Sequence, residues 1–135
     1  MKHEHTSVVV KRSSAGLGLF ANTVFKRGDF IIEYIGEPIS HTEADKRGGK
    51  YLFILSDTIV IDGKCRENIA RYINHSCTPN AEGETDEDEN KIRIFAKRTI
   101  LPGEEIAYNY GKEYFNTYIK PHGCRCSSCT SKKSN

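Results

Sequence analysis

From Arg71 to Asn80 the chain reads Arg-Tyr-Ile-Asn-His-Ser-Cys-Thr-Pro-Asn, crowding two amides, an imidazole and a thiol into one short polar turn. Side chains of these types bind ligands and metals, and a plain connector has no use for so many. Near the far end, Cys124, Cys126 and Cys129 form a Cys-x-Cys-x-x-Cys knot. Close thiolate spacing lets one turn offer several ligands to a tetrahedral zinc, and three thiolates leave one position open. Cys77 fills it if the chain folds back. Part of the zinc-binding energy would then be folding energy, because two sequence-distant segments are tied together. A redox pair or free thiols is the alternative. In a reducing compartment, clustered cysteines favour metal. Cys65 is left over and reads as a packed or incidental thiol.

Tyr108 and Tyr110 stand two apart, on one face of a strand. Alone they would be ordinary strand aromatics. Gly16 and Gly18 let backbone groups come close to a ligand. No helix follows them, which excludes the dinucleotide-binding fingerprint. Glu82 to Glu89 holds six acids in eight residues. The favoured reading is the solvated loop of a hairpin, and the other is a surface that attracts a Lys/Arg-rich tail.

These residues need a frame. At 135 residues the chain is sized for one domain, and 37% hydrophobic with 28% charged residues is ordinary for a globular one. A net charge of +2 gives no reason to expect direct nucleic-acid binding. No apolar run approaches the ~20 residues that span a bilayer, and no signal-peptide core opens the chain. No membrane association and an intracellular location are therefore expected. Met1 to Ser7 reads as a flexible tail; His3 and His5 could bind a metal, but a frayed terminus is the favoured reading. Strand patterns cover Val8–Val10, Leu19–Ala21, Phe30–Gly36, Tyr51–Leu55, Thr58–Asp62, Lys91–Ala96 and Glu105–Tyr110, with a turn over Ser13–Gly18. Thr42–Lys46 offers one helical turn at most, Asn68–Ile73 a short helical or irregular piece, and Lys112–Ile119 a short helix. Many short strands between turns mean a mainly β fold of small sheets.

Taken in order, Gly16-Leu17-Gly18-Leu19-Phe20-Ala21, Glu33-Tyr34-Ile35-Gly36-Glu37, Tyr51-Leu52-Phe53, Ile61-Asp62-Gly63, the segment from Asn68 to Asn80, the segment from Pro102 to Tyr110, and the cysteine knot form a specific series. It resembles the SET-domain protein lysine methyltransferases with a zinc-binding post-SET tail, over about Val8 to Cys129. The resemblance implies a β-clip-like SET fold of several small sheets with short helices and a C-terminal pseudoknot. It implies residues 8–111 as the catalytic domain and 112–135 as the post-SET tail. S-adenosylmethionine and Zn2+ are the implied cofactors. By similarity, Ala15, Gly16 and Leu17 hold the methionine end of the cofactor, Asn74 and His75 its amino group and adenine, Tyr51 contacts it from the neighbouring strand, and Arg71 supports that shell. Tyr34 lines the lysine channel, Tyr110 matches the catalytic tyrosine, and Tyr108 the position that controls how many methyl groups are added. Cys77, Cys124, Cys126 and Cys129 are the implied zinc ligands.

The implied substrate is a lysine in a histone tail or another basic protein. A non-histone target, such as a ribosomal protein, and a weakly active zinc-stabilised peptide-binding module are the alternatives. The nucleus or chromosome is the expected location in a eukaryote, and the cytoplasm in a bacterium. A phenol at Tyr108 implies mainly mono- or dimethylation. With an unperturbed pKa of about 10, Tyr110 suits hydrogen bonding better than general-base work. The chain departs from the family pattern in three places. Only two residues separate Cys126 from Cys129, where four are usual. Asn109 stands where Asp is common. The stretch from Ser40 to Tyr51, normally part of the peptide groove, is short.

Overall fold

In the computed structural model, residues 7–13, 16–49 and 51–109 are described. Val8–Ser13 (β1) and Gly16–Ala21 (β2) pair antiparallel from Val8↔Ala21 to Ser13↔Gly16. The strands thus run through much of the stretch read as a turn. Gly16, at φ 106°, takes a backbone conformation that side chains disfavour. Phe30–Tyr34 (β3) is the β-branched run, with a register shift between Phe30 and Ile32. Glu37–Ser40 (β4) continues after Gly36.

The helix His41–Arg47 (α1) has seven residues, longer than the single turn read from the sequence. Ser40 caps it by accepting from Glu43 N at 3.0 Å, and Gly48 ends it in the left-handed region. Arg47, on its last turn, bonds Glu37, Glu43 and Asp62 at 2.8–2.9 Å. Those hydrogen bonds raise its pKa above the ordinary guanidinium value and fasten α1 to the strands beside it.

Leu52–Ile54 (β5) and Ile59–Asp62 (β6) make a small sheet with β4, in the order β4-β6-β5. A 3-10 turn, Ile69–Tyr72, leads into Asn74–His75 (β7), so the Asn-His pair lies on a two-residue strand rather than in a turn. Ala81–Asp86 (β8) pairs with Lys91–Ala96 (β9), and β9 with β3. The sequence places all six acids between 82 and 89 in a loop, yet Glu82, Glu84 and Asp86 sit on β8 and only 87–90 turn. In β9 the buried Ile92, Ile94 and Ala96 alternate with Lys91, Arg93 and Phe95, the pattern of a strand with one face in the core.

Glu105–Tyr108 (β10) closes the architecture. It pairs antiparallel with β2 and parallel with β7, giving a sheet in the order β1-β2-β10-β7. The main core joins all three sheets through Leu19, Ile32, Ile61, Ile73, Ile94 and Ile106, and Tyr34 and Tyr108 belong to it. The fold is mainly β, with three small sheets and a short helix among the described residues. No helix there is long and apolar enough to cross a membrane.

Candidate active site

The site grows from β10 and its two neighbours. Ala107 is opposite Asn74 and Tyr108 opposite His75 in the parallel β7–β10 pairing. The segment after β7 then wraps β10: Ser76 N donates to Tyr108 O at 3.0 Å and Asn80 N to Ala107 O at 3.1 Å. The Asn80 side chain copies a strand residue. Its Nδ2 donates to Glu105 O at 2.8 Å, and its Oδ1 accepts from Ala107 N at 2.9 Å. Asn80 is buried, so both backbone groups depend on it in place of water.

Asn74 faces β2. Its Nδ2 donates to Leu17 O at 3.0 Å, Glu105 Oε2 at 2.9 Å and Ser13 Oγ at 3.1 Å. With a carbonyl and a carboxylate as partners, the nitrogen end of the amide is fixed on that side, leaving Oδ1 to accept. Gly18 explains why the approach is close: a Cβ there would collide with the Glu105 carboxylate and stand 3.1 Å from Asn74 Nδ2. Among the described residues nothing lies within 4 Å of the Gly16 Cβ position, and Leu17 is exposed.

His75 is buried, and burial pushes its pKa below the ordinary imidazole value, so the ring is neutral at physiological pH. Its Nε2 lies 3.5 Å from the Sγ of exposed Cys77. Arg71, on the 3-10 turn, lies over the rings of Tyr51 and Tyr72, with Cζ 5.2 and 4.9 Å from their centroids. It donates to Tyr72 Oη at 2.8 Å and Lys64 O at 2.6 Å. The Tyr72 bond is the main reason its pKa is raised. Its Nε is buried without a hydrogen-bond partner among the described residues.

On the other side of β10 is an aromatic group. Tyr34 Oη donates to Tyr51 O at 2.8 Å, and its ring centroid is 5.2 Å from that of Phe53. Phe53 is in turn 5.6 Å from Tyr108. Fully buried Asn68 braces this group, accepting from Ile35 N and donating to Gly63 O, each at 2.9 Å. A Cβ on Gly63 would strike both Asn68 Nδ2 and the Tyr34 ring.

The structure therefore brings Gly16, Leu17, Asn74, His75 and Tyr108 together around β10, and Tyr34, Tyr51 and Arg71 around its aromatic side. Ala15, Tyr110, Cys124, Cys126 and Cys129 lie outside the described residues. Among the described residues no group of three or more His, Cys, Asp or Glu side chains could hold a metal. Cys65, intermediate in exposure, points its thiol at Ile35 O at 3.8 Å, as a packed residue would. Sequence reasoning passed over Phe53, Gly63, Asn68, Gly83 and Glu105. Phe53 alternates correctly with Tyr51 for one strand face, a signal that was there to use. An isolated Asn such as Asn68 carries none.

A SET domain model matches residues 16–111. The histone-lysine N-methyltransferase, H3 lysine-4 specific, of Schizosaccharomyces pombe is 42% identical over 105 residues, covering 70% of this chain and 11% of that protein. Histone-lysine N-methyltransferase Set2 of Drosophila melanogaster is 35% identical over 133 residues, 87% of this chain and 6% of that protein. In the crystal structure of the Chaetomium thermophilum polycomb repressive complex 2, one chain superposes with a TM-score of 0.75 at 34% identity, covering 85% of this chain and 16% of that one. The chain thus spans a small fraction of the length of the proteins it matches. By matched domain, sequence and fold alike, it belongs to the SET-domain family.

Proposed function

We propose that this chain is the catalytic unit of an S-adenosylmethionine-dependent protein-lysine N-methyltransferase, acting on histone tails or other basic proteins. Residues 8–111 form that unit and 112–135 a post-SET tail. The observation that carries the reading is the β7–β10 register, which sets Asn74 and His75 beside Ala107 and Tyr108. A polar ligand shell and an aromatic shell then share one pair of strands. In a eukaryote a histone substrate assigns the protein to the nucleus or chromosome, and in a bacterium the same chemistry would work in the cytoplasm.

The residues present fit the cofactor. Asn74 Oδ1 is left to accept from an ammonium group, because Nδ2 is committed to β1, β2 and β10 partners. The Gly16 and Leu17 backbone borders it, neutral His75 can bond an uncharged base, and Arg71 Nε is a buried donor with no acceptor among the described residues. Tyr51 and, by the family resemblance, Ala15 would complete the shell. When bound, the cofactor supplies an electrophilic methyl group on a sulfonium.

The protein's work is then alignment. Tyr34, Phe53 and Tyr108 favour a neutral lysine amine, since an apolar aromatic wall penalises the ammonium. The amine would give its proton to water, which frees its lone pair for the methyl group that the bound cofactor would supply. By the family resemblance, Tyr110 would hydrogen-bond the amine and, with carbonyl oxygens, steady the methyl hydrogens. A phenolic hydroxyl at Tyr108 can anchor a water beside the nitrogen, which favours mono- and dimethylation. Cys77, Cys124, Cys126 and Cys129 would hold zinc, which ties the tail against the cofactor side. The exposure of Cys77 and the knot spacing support this, and a C-terminal pseudoknot would accompany such a tie.

Incubation with labelled S-adenosylmethionine, core histones and cell lysate tests the activity. Transfer is expected from the unaltered chain and should collapse in Tyr110→Phe. Undiminished labelling by that variant would sink the mechanism. Chelation is expected to release zinc and to weaken both cofactor binding and thermal stability; a preparation with no bound zinc would remove the metal from the account.

A further inference from the structure

Asn74 lies on β7, yet its amide nitrogen reaches across β10 to Leu17 O on β2 and Ser13 Oγ on β1. Small residues clear the way: Ala107 stands opposite Asn74 on β10, and Gly18 follows Leu17 on β2. The third acceptor, Glu105 Oε2 at 2.9 Å, comes from β10 itself. Along β10, Ile106 and Tyr108 are buried while Glu105 and Ala107 are half-buried, so the carboxylate shares a strand face with the methyl that Asn74 crosses. A Cβ on Gly18 would collide with Glu105 Oε2. Gly18 is not among the glycines with positive φ, so its backbone does not demand glycine. Room for the carboxylate does. A glycine inside a strand weakens it and marks a place where another group comes close.

We propose that Glu105 is a positioning residue for the ammonium group of the cofactor, acting through Asn74. This rests on the methyltransferase reading above. A flipped Asn74 amide would set Oδ1 against both the Leu17 carbonyl and the Glu105 carboxylate, neither of which can donate. The carboxylate is the stronger constraint, because a charge-assisted hydrogen bond is roughly twice as strong as a neutral one. It also polarises the amide, which strengthens the bond that Oδ1 accepts. Without Glu105, one carbonyl and a hydroxyl that can donate as well as accept are left to orient the amide. Oδ1 then faces the ammonium for only a fraction of the time, and affinity falls by that fraction. Gly18 serves the same end by leaving the carboxylate its place.

The test is calorimetry on the full chain with two probes. S-adenosylhomocysteine carries the ammonium group, and methylthioadenosine has the same nucleoside without the amino-acid end. Glu105→Ala should weaken S-adenosylhomocysteine roughly tenfold, the low end for a hydrogen bond to a charged group, and leave methylthioadenosine nearly unchanged. Glu105→Gln keeps an acceptor in place and should recover part of the loss. Gly18→Ala should copy Glu105→Ala, and should cost less when added to it, because the displaced carboxylate is already gone. General loosening of the site would weaken both probes alike. A loss shared equally by the two probes, or a Glu105→Gln as damaging as Glu105→Ala, overturns the proposal. Should Glu105→Ala not fold, Gly18→Ala decides, and equal affinity changes for both probes there count against it. If methylthioadenosine binds too weakly to measure, recovery in Glu105→Gln decides. An unaltered chain that binds neither probe overturns the methyltransferase reading itself. One that binds them with affinities indifferent to Glu105 overturns only this inference.

Discussion

Around β7 and β10, Asn74 and Asn80 make five side-chain hydrogen bonds of 2.8–3.1 Å. Around β5, Tyr34, Phe53 and Tyr108 meet ring to ring at 5.2–5.6 Å. The first region is specified by direction and the second by shape. A hydrogen bond to a buried partner is made or lost, and losing it strands the partner away from water. Ring packing yields by degrees as atoms shift by tenths of an ångström. Damage on the polar side should therefore be abrupt and appear in stability or ligand affinity. Damage on the aromatic side should be graded and appear in the product.

The largest effect is expected from Asn80→Ala, which leaves Ala107 N–H and Glu105 C=O without a partner. At about 1–3 kcal/mol for each stranded group, denaturant unfolding should register a loss of about 2–6 kcal/mol. A loss well under 1 kcal/mol would mean that water replaces the amide, and the contrast between the two regions would fail. Next is Asn74→Ala. If its Oδ1 meets a charged ammonium, calorimetry should find cofactor affinity down by roughly 10–100-fold, from about 1.5–3 kcal/mol. Unchanged affinity would separate Asn74 from the cofactor.

Much of this was legible because it is local. The alternation of Lys91–Ala96 marks β9, and Tyr34 and Tyr108 end strands whose pattern is plain. The Asn-His pair was legible as a ligand group but not as a strand. Its pairing with β10 lies in residues more than thirty positions away, and two residues carry no period of their own. The extent of β8 was hidden for another reason. Its acids face solvent on an edge strand, where charge guards against unwanted pairing yet reads in sequence as loop. Helix α1 exceeded its expected length because Ser40, Gly48 and the carboxylates around Arg47 secure both ends.

On the aromatic side, Tyr108→Phe keeps the ring and removes the hydroxyl. Mass spectrometry should show the more highly methylated products rising by roughly tenfold, the scale of a one-methylene discrimination, with little change in unfolding. Efficient trimethylation by the unaltered chain would remove this role from Tyr108. The smallest effect belongs to neither region. Asp86 is held below the ordinary carboxylate pKa by Glu89 N–H and then by Arg93. Its contribution is present above the unfolded pKa and vanishes as pH falls through the lower folded value. Asp86→Asn should lower the melting temperature slightly at neutral pH and not at all in strong acid. An equal shift at both would point to packing instead.

The central place of β10 also dictates how the molecule comes together in time. Glu105 pairs with Phe20 and Ala107 with Asn74, so one four-residue strand near the end of the described residues waits for partners far back in the sequence. Closing loops of that length delays the reward of pairing, and folds dominated by such contacts are slow. The β1–β2 and β8–β9 hairpins need no such wait. The hairpins should therefore gain amide protection early in refolding, with Ala107 among the last. Until β10 docks, the chain would hold most of its strands and none of its ligand site.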